Sequence, residues 1–144
     1  DLLVLPHQLP AAIDLVASVP DGRFVLDHIA KPPITSGELE PWAGLIRRLA
    51  GLPNVAVKLS GLVTEADWRT WTVADIRPYA DVVLAAFGAD RIMFGSDWPV
   101  CELAASYGKV FGLAEELLAS CPRSAVFGGT ARDWYGLSPD RVMG

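Results

Sequence analysis

The sequence predicts an α/β fold built on a parallel sheet, and three observations carry that prediction. Four short apolar runs alternate with four amphipathic stretches in the order β-α-β-α-β-α-β-α. The runs are apolar on both faces, as strands are when helices cover a parallel sheet. Three of the four end in a polar or ionisable side chain, His28, Lys58 or Asp97. In parallel α/β architectures the strand C-terminal ends converge on the face that carries the chemistry.

Each element has its own signal. Leu2 to Leu5 is a short strand closed by Pro6, and Ala11 to Ser18 carries Ile13, Val16 and Ala17 at helical spacing. A second strand is expected near residues 23–28, closed by Lys31-Pro32-Pro33. The helix after it is expected over Glu38 to Leu49, with Leu39, Trp42, Leu45, Ile46 and Leu49 on one stripe and Ser36 as N-cap. The turn signal Pro53-Asn54 opens a third strand near 54–60, and Thr72 to Asp75 has capping-box spacing before a helix over Ile76 to Phe87. A fourth strand is expected near 91–95, and a fourth helix over Leu103 to Leu118.

Composition narrows the function. With 144 residues, 51% hydrophobic and 20% charged, the chain can bury a core. A net charge of -5, with no basic cluster larger than Arg47-Arg48, leaves no footprint for nucleic acid. Cys101 and Cys121 lack zinc-site or disulfide-framework spacing, and no apolar run is long enough to span a bilayer, so a cytoplasmic enzyme is expected.

Four βα units are half of a (β/α)₈ TIM barrel, which takes about 250 residues. Asp1-Leu-Leu-Val begins inside a strand. Residues 1–144 are therefore expected to be one partial domain, the C-terminal half of a barrel carrying strands five to eight. Two open sheet edges and an uncovered inner face would make such a half prone to associate.

The strand ends supply the candidate site. Alternation sets Phe24, Leu26 and His28 on one face, with Val25 and Asp27 on the other. An imidazole at a strand mouth can ligate a metal or polarise a carbonyl. Asp27 can orient that ring only if the chain turns between them. Lys58 shares a face with Ala56 and Ser60; it is either a substrate-binding cation or half of an ion pair filling the barrel, with Asp97 as a possible partner. Lys31, in a loop, reads as an ordinary solvated lysine. Asp97 follows the small Gly95 and is either a helix cap or the base for a water; since a free aspartate has a pKa of about 3.9, water activation needs a special environment or a metal. Trp98 reads either as a wall of the pocket or as plain core.

Leu26-Asp-His28-Ile-Ala-Lys31-Pro32, Val57-Lys58-Leu-Ser-Gly61-Leu and Met93-Phe-Gly-Ser-Asp97-Trp-Pro99 resemble the last strand ends of the amidohydrolase-related TIM-barrel hydrolases. The likeness is to their sugar-lactonase group, which includes L-fuconolactonases and is similar to 2-pyrone-4,6-dicarboxylate lactonase. Phe127 to Leu137 resembles that family's closing helix. The resemblance implies hydrolysis of a small-molecule lactone, with Asp97 as base, His28 polarising the carbonyl or ligating a metal, and Lys58 and Trp98 contacting substrate. It also implies a divalent metal, zinc being one candidate, held by His28 and Asp97, and no organic cofactor. The family's His-x-His pair has no counterpart here, since the other histidine is His7 in a Pro6-His7 loop. A metal-assisted decarboxylase of the same superfamily and an inactive half-barrel interaction module are the alternatives.

Overall fold

The computed structural model describes residues 1–137; the last seven residues of the expected domain lie outside the described residues. Its sheet has three parallel strands in sequence order, β1 (Phe24–Leu26), β2 (Val55–Leu59) and β3 (Ile92–Phe94). The expected strand over 2–5 is reduced to a single parallel bridge, Leu2 to Leu26. Leu2 exchanges backbone bonds with Val25 O (2.7 Å) and Asp27 N–H (2.9 Å), but Leu3 and Leu5 point into solvent and add nothing to hold a longer ladder.

Helices α1 (Leu9–Ser18), α2 (Trp42–Ala50), α4 (Val73–Phe87) and α5 (Tyr107–Leu117) cover the outer face of the sheet. Leu26, Val55, Val57, Leu59 and Ile92 of the strands pack against Ile13, Trp42, Ile46, Tyr79, Val83 and Leu113 of the helices. One-turn α3 (Leu62–Glu65) follows β2 directly. The Thr72/Asp75 capping box forms as expected, with Asp75 Oδ2 accepting from the Thr72 N–H at 2.7 Å. Two helices start about a turn later than expected. Ser36 is not the cap of α2; its hydroxyl donates to Pro33 O at 3.0 Å in a local turn. The helix starts only after Pro41, where Glu40 accepts the Gly44 N–H at 2.9 Å, a bond that together with Arg47 holds the Glu40 carboxyl below the usual carboxylate range. Likewise the fourth helix begins at Tyr107, since Ser106 supplies the cap, and 100–103 form a separate short turn.

The inner face of the sheet is not open as expected. Val25, Ala56 and Met93 form its buried row, and Ala131 and Trp134 of α6 (Thr130–Tyr135) lie against them. The Trp134 indole N–H donates to Phe24 O at 2.9 Å, fixing the closing helix across the start of β1. At the same end, Arg91 donates to Ala50 O and Leu52 O, both at 2.8 Å, and so satisfies carbonyls at the end of α2. The end of the sheet where the strands start is thus sealed, and polar side chains gather at the end where they finish.

Candidate active site

Strand register explains the first pair of side chains. Val25 lies beside Ala56 and Leu26 beside Val57, so the next inward positions, Asp27 and Lys58, are neighbours. Lys58 Nζ is 2.7 Å from Asp27 Oδ1 and donates to Asp1 Oδ2 at 2.6 Å. Tyr135 of the closing helix donates to Asp1 Oδ1 at 2.7 Å, and its ring lies 5.5 Å from the ammonium. Burial, the largest influence, opposes the charge, but Asp27 and then Tyr135 outweigh it and raise the Lys58 ammonium above the usual lysine value. The ion pair considered from sequence therefore exists, with Asp27 and Asp1 as partners in place of Asp97.

His28 breaks the alternation. Strand geometry would send it to the helix side, but His28, Ile29, Ala30 and Lys31 all have φ between 46° and 60°. This left-handed turn costs an L-residue about 1–2 kcal/mol at each position. It is held by the burial of Ile29 and Ala30 and by the Trp42 indole, which donates to Ile29 O at 2.8 Å. The turn lifts the imidazole over the rim, where Nδ1 lies 2.8 Å from Ser60 Oγ and Nε2 lies 3.6 Å from Asp97 Oδ1. Asp27 is thus not the partner that orients the ring; Ser60, buried on the Lys58 face of β2, has that place.

Two glycines make room for this contact. A Cβ on Gly61, whose φ is +65°, would lie 2.8 Å from His28 Nδ1, and a Cβ on Gly95 would lie 2.9 Å from Ser60 Cβ. Asp97, itself at φ 57°, follows Gly95 beyond β3, and its side chain is mostly buried. The carboxylate caps no helix among the described residues; it is Ser96 Oγ that accepts the Trp98 N–H, at 3.2 Å. Behind it, Cys101 is buried, and burial first and the Asp97 charge second push its thiol up. Trp98 is 62% exposed on the rim, and His7 lies in the exposed turn Pro6–Gln8. Lys31 is not a solvated loop lysine, since its ammonium pairs with Glu65 at the end of α3.

The amidohydrolase family profile matches residues 1–137, the whole of the described chain. The chain belongs to the amidohydrolase family. An L-fucono-1,5-lactonase of Burkholderia multivorans is 46% identical over 150 residues, covering 95% of this chain and 51% of the relative. An L-fucono-1,5-lactonase of Burkholderia ambifaria is 41% identical, covering 100% of this chain and 51% of the relative. The crystal structure of an amidohydrolase from Burkholderia multivorans with bound zinc superposes with a TM-score of 0.91 at 44% identity, over 96% of this chain and 52% of that one. The chain spans about half the length of the curated relatives it matches.

For an amidohydrolase, the donor set at the rim can be tested against a metal. Zinc holds imidazole nitrogen and carboxylate oxygen at about 2.0–2.2 Å, which sets two tetrahedral donors about 3.4 Å apart. His28 Nε2 and Asp97 Oδ1 are 3.6 Å apart, too far for a direct hydrogen bond and close to that separation. With Nδ1–H donating to Ser60, the neutral ring would present Nε2 as a ligand. These two residues fit as part of a coordination sphere. Among the described residues no group of three or more such side chains gathers. The residues at the rim that the sequence did not single out are Ser60 as the partner of His28, Asp27 as the partner of Lys58, and Tyr135. Inward alternation of Ala56, Lys58 and Ser60 pointed at Ser60, but only the turn at His28 makes it a partner.

Proposed function

We propose that this chain is the C-terminal half of a (β/α)₈ barrel, carrying strands five to eight, of a cytoplasmic lactonase that opens a sugar or related lactone. The observation that carries the reading is the convergence of His28 and Asp97 at 3.6 Å on the mouths of β1 and β3, with the ring nitrogen held by Ser60. The lactonase names and half-length matches of the relatives support it.

In this reading water adds to the lactone carbonyl while Asp97 takes its proton. The tetrahedral adduct then expels the ring oxygen, which leaves as the hydroxyl of a hydroxy acid with that proton returned. His28, beside Asp97, either polarises the carbonyl through Nε2–H or gives that nitrogen to a metal. A divalent metal, zinc being one candidate, would be held by His28 and Asp97 together with ligands from the rest of the barrel. When bound, it would acidify the attacking water. Lys58 donates to a substrate oxygen, its charge maintained by Asp27, and Trp98 offers an apolar wall. The test is hydrolysis of a panel of sugar 1,4- and 1,5-lactones by the intact protein, before and after chelator. Acid release without carbon dioxide, lost on chelation and restored by zinc, is the expected result; carbon dioxide release would establish decarboxylation instead.

A further inference from the structure

We infer that Lys31 and Glu65 form a clamp that positions His28, an inference that rests on the lactonase reading for its kinetic consequence but not for its structural one. The left-handed turn His28–Lys31 is anchored in its middle, by the burial of Ile29 and Ala30 and by the Trp42 indole on Ile29 O. Its exit has weaker backbone support. Lys31 N–H closes on His28 O at 2.8 Å, but the next two residues are Pro32 and Pro33, which have no N–H to donate. At this exit the Lys31 ammonium reaches across to the Glu65 carboxylate.

Glu65 ends the one-turn helix α3, which starts immediately after Gly61. Gly61 is the residue whose missing side chain lets the His28 ring approach, and Ser60 before it holds Nδ1. A second tie crosses the same seam, the Thr35 hydroxyl donating to Glu65 O at 2.9 Å. The clamp thus draws the loop after β1 onto the loop after β2, the two segments whose approach sets the His28–Ser60 contact. Both members of the ion pair are partly shielded from water, which keeps the attraction effective. Among the described residues Lys31 and Glu65 make no hydrogen bond or ion pair with Asp97 or Lys58, so they are positioning residues and act through His28.

The experiment uses Lys31→Met, Glu65→Gln and the double variant. In the intact protein, the ¹⁵N resonances of the His28 imidazole report whether Nδ1 carries the proton towards Ser60. On the same protein, kcat and KM are measured on the best lactone. The expected result is a changed His28 nitrogen pattern in each single variant and a fall in kcat of about tenfold with KM within about twofold. The double variant should be no worse than either single one, since both remove the same tie. Unchanged His28 resonances in well-folded variants would overturn the clamp whether or not the protein hydrolyses lactones. Additive losses in the double variant would also overturn it. If Lys31→Met does not fold, Glu65→Gln alone decides, because it keeps the side-chain shape and removes only the charge. A wild type inert towards every lactone, with the nitrogen pattern shifted in the variants, would sink the lactonase reading and leave the clamp standing.

Discussion

Replacing Gly61 by alanine tests how tightly the fold packs around His28. At φ +65° an L-residue costs about 1–2 kcal/mol. The new Cβ would also lie 2.8 Å from His28 Nδ1 and 2.9 Å from Cγ, so the ring must move by several tenths of an ångström. The ring is backed by the rigid left-handed turn, and moving it lengthens the 2.8 Å contact with Ser60, which is worth about 1 kcal/mol. The two contributions together come to about 2–3 kcal/mol. For a chain of this size that corresponds to a Tm lower by about 5–10 °C. Gly37→Ala is the control, because Gly37 has φ +73° and nothing within 4 Å of an added Cβ. It carries the backbone cost without the collision. Thermal denaturation of both variants by circular dichroism separates the two effects. A Gly61→Ala chain no less stable than Gly37→Ala would refute the claim that close approach at Gly61 sets the position of His28.

Other perturbations probe the seal and the buried cation. Trp134→Ala removes the cover of Val25, Ala56 and Met93 and the bond to Phe24 O. Because the ring is only partly buried, the loss should fall near the lower end of the about 3–5 kcal/mol typical of Trp→Ala. Sedimentation should show more association than in the wild type; a variant that associates no more than the wild type would show that α6 does not guard the inner face. Lys58 has its folded-state value raised, so its stabilisation is complete below its ordinary value of about 10.5 and is lost as pH rises through the folded value. Urea unfolding from about pH 10 to 12 should show a plateau followed by this decline in the wild type and not in Lys58→Met; equal declines would remove the claim.

Much of this arrangement was legible in the sequence because it depends on chain-local periodicity. The apolar faces of β1, β2 and β3, the stripe Trp42, Ile46 and Leu49, and the Thr72/Asp75 box follow from spacing alone. His28 and Asp97 were found as strand ends, and their meeting follows from parallel strands sharing a rim. Register was not legible. Only the pairing of Val25 with Ala56 makes Asp27 the neighbour of Lys58, and before that pairing is known Asp97 was as good a partner. Nor was the turn at His28 legible, since a left-handed run of a histidine, an isoleucine, an alanine and a lysine opposes local preference and is imposed by burial and by Trp42. The landing of α6 on the inner face depends on contacts more than a hundred residues apart in the chain, such as Trp134 to Phe24.

The proposed function turns on Asp97 taking a proton from water at the rim of the parallel sheet. Its most direct test is kcat for lactone hydrolysis by the intact protein carrying Asp97→Asn, which keeps the shape of the side chain and removes the acceptor. The account predicts a fold that melts like the wild type and a fall in kcat of about 10²- to 10⁴-fold. A variant that hydrolyses the lactone at close to the wild-type kcat would contradict the account, and Asp97 would lose its assignment as the base.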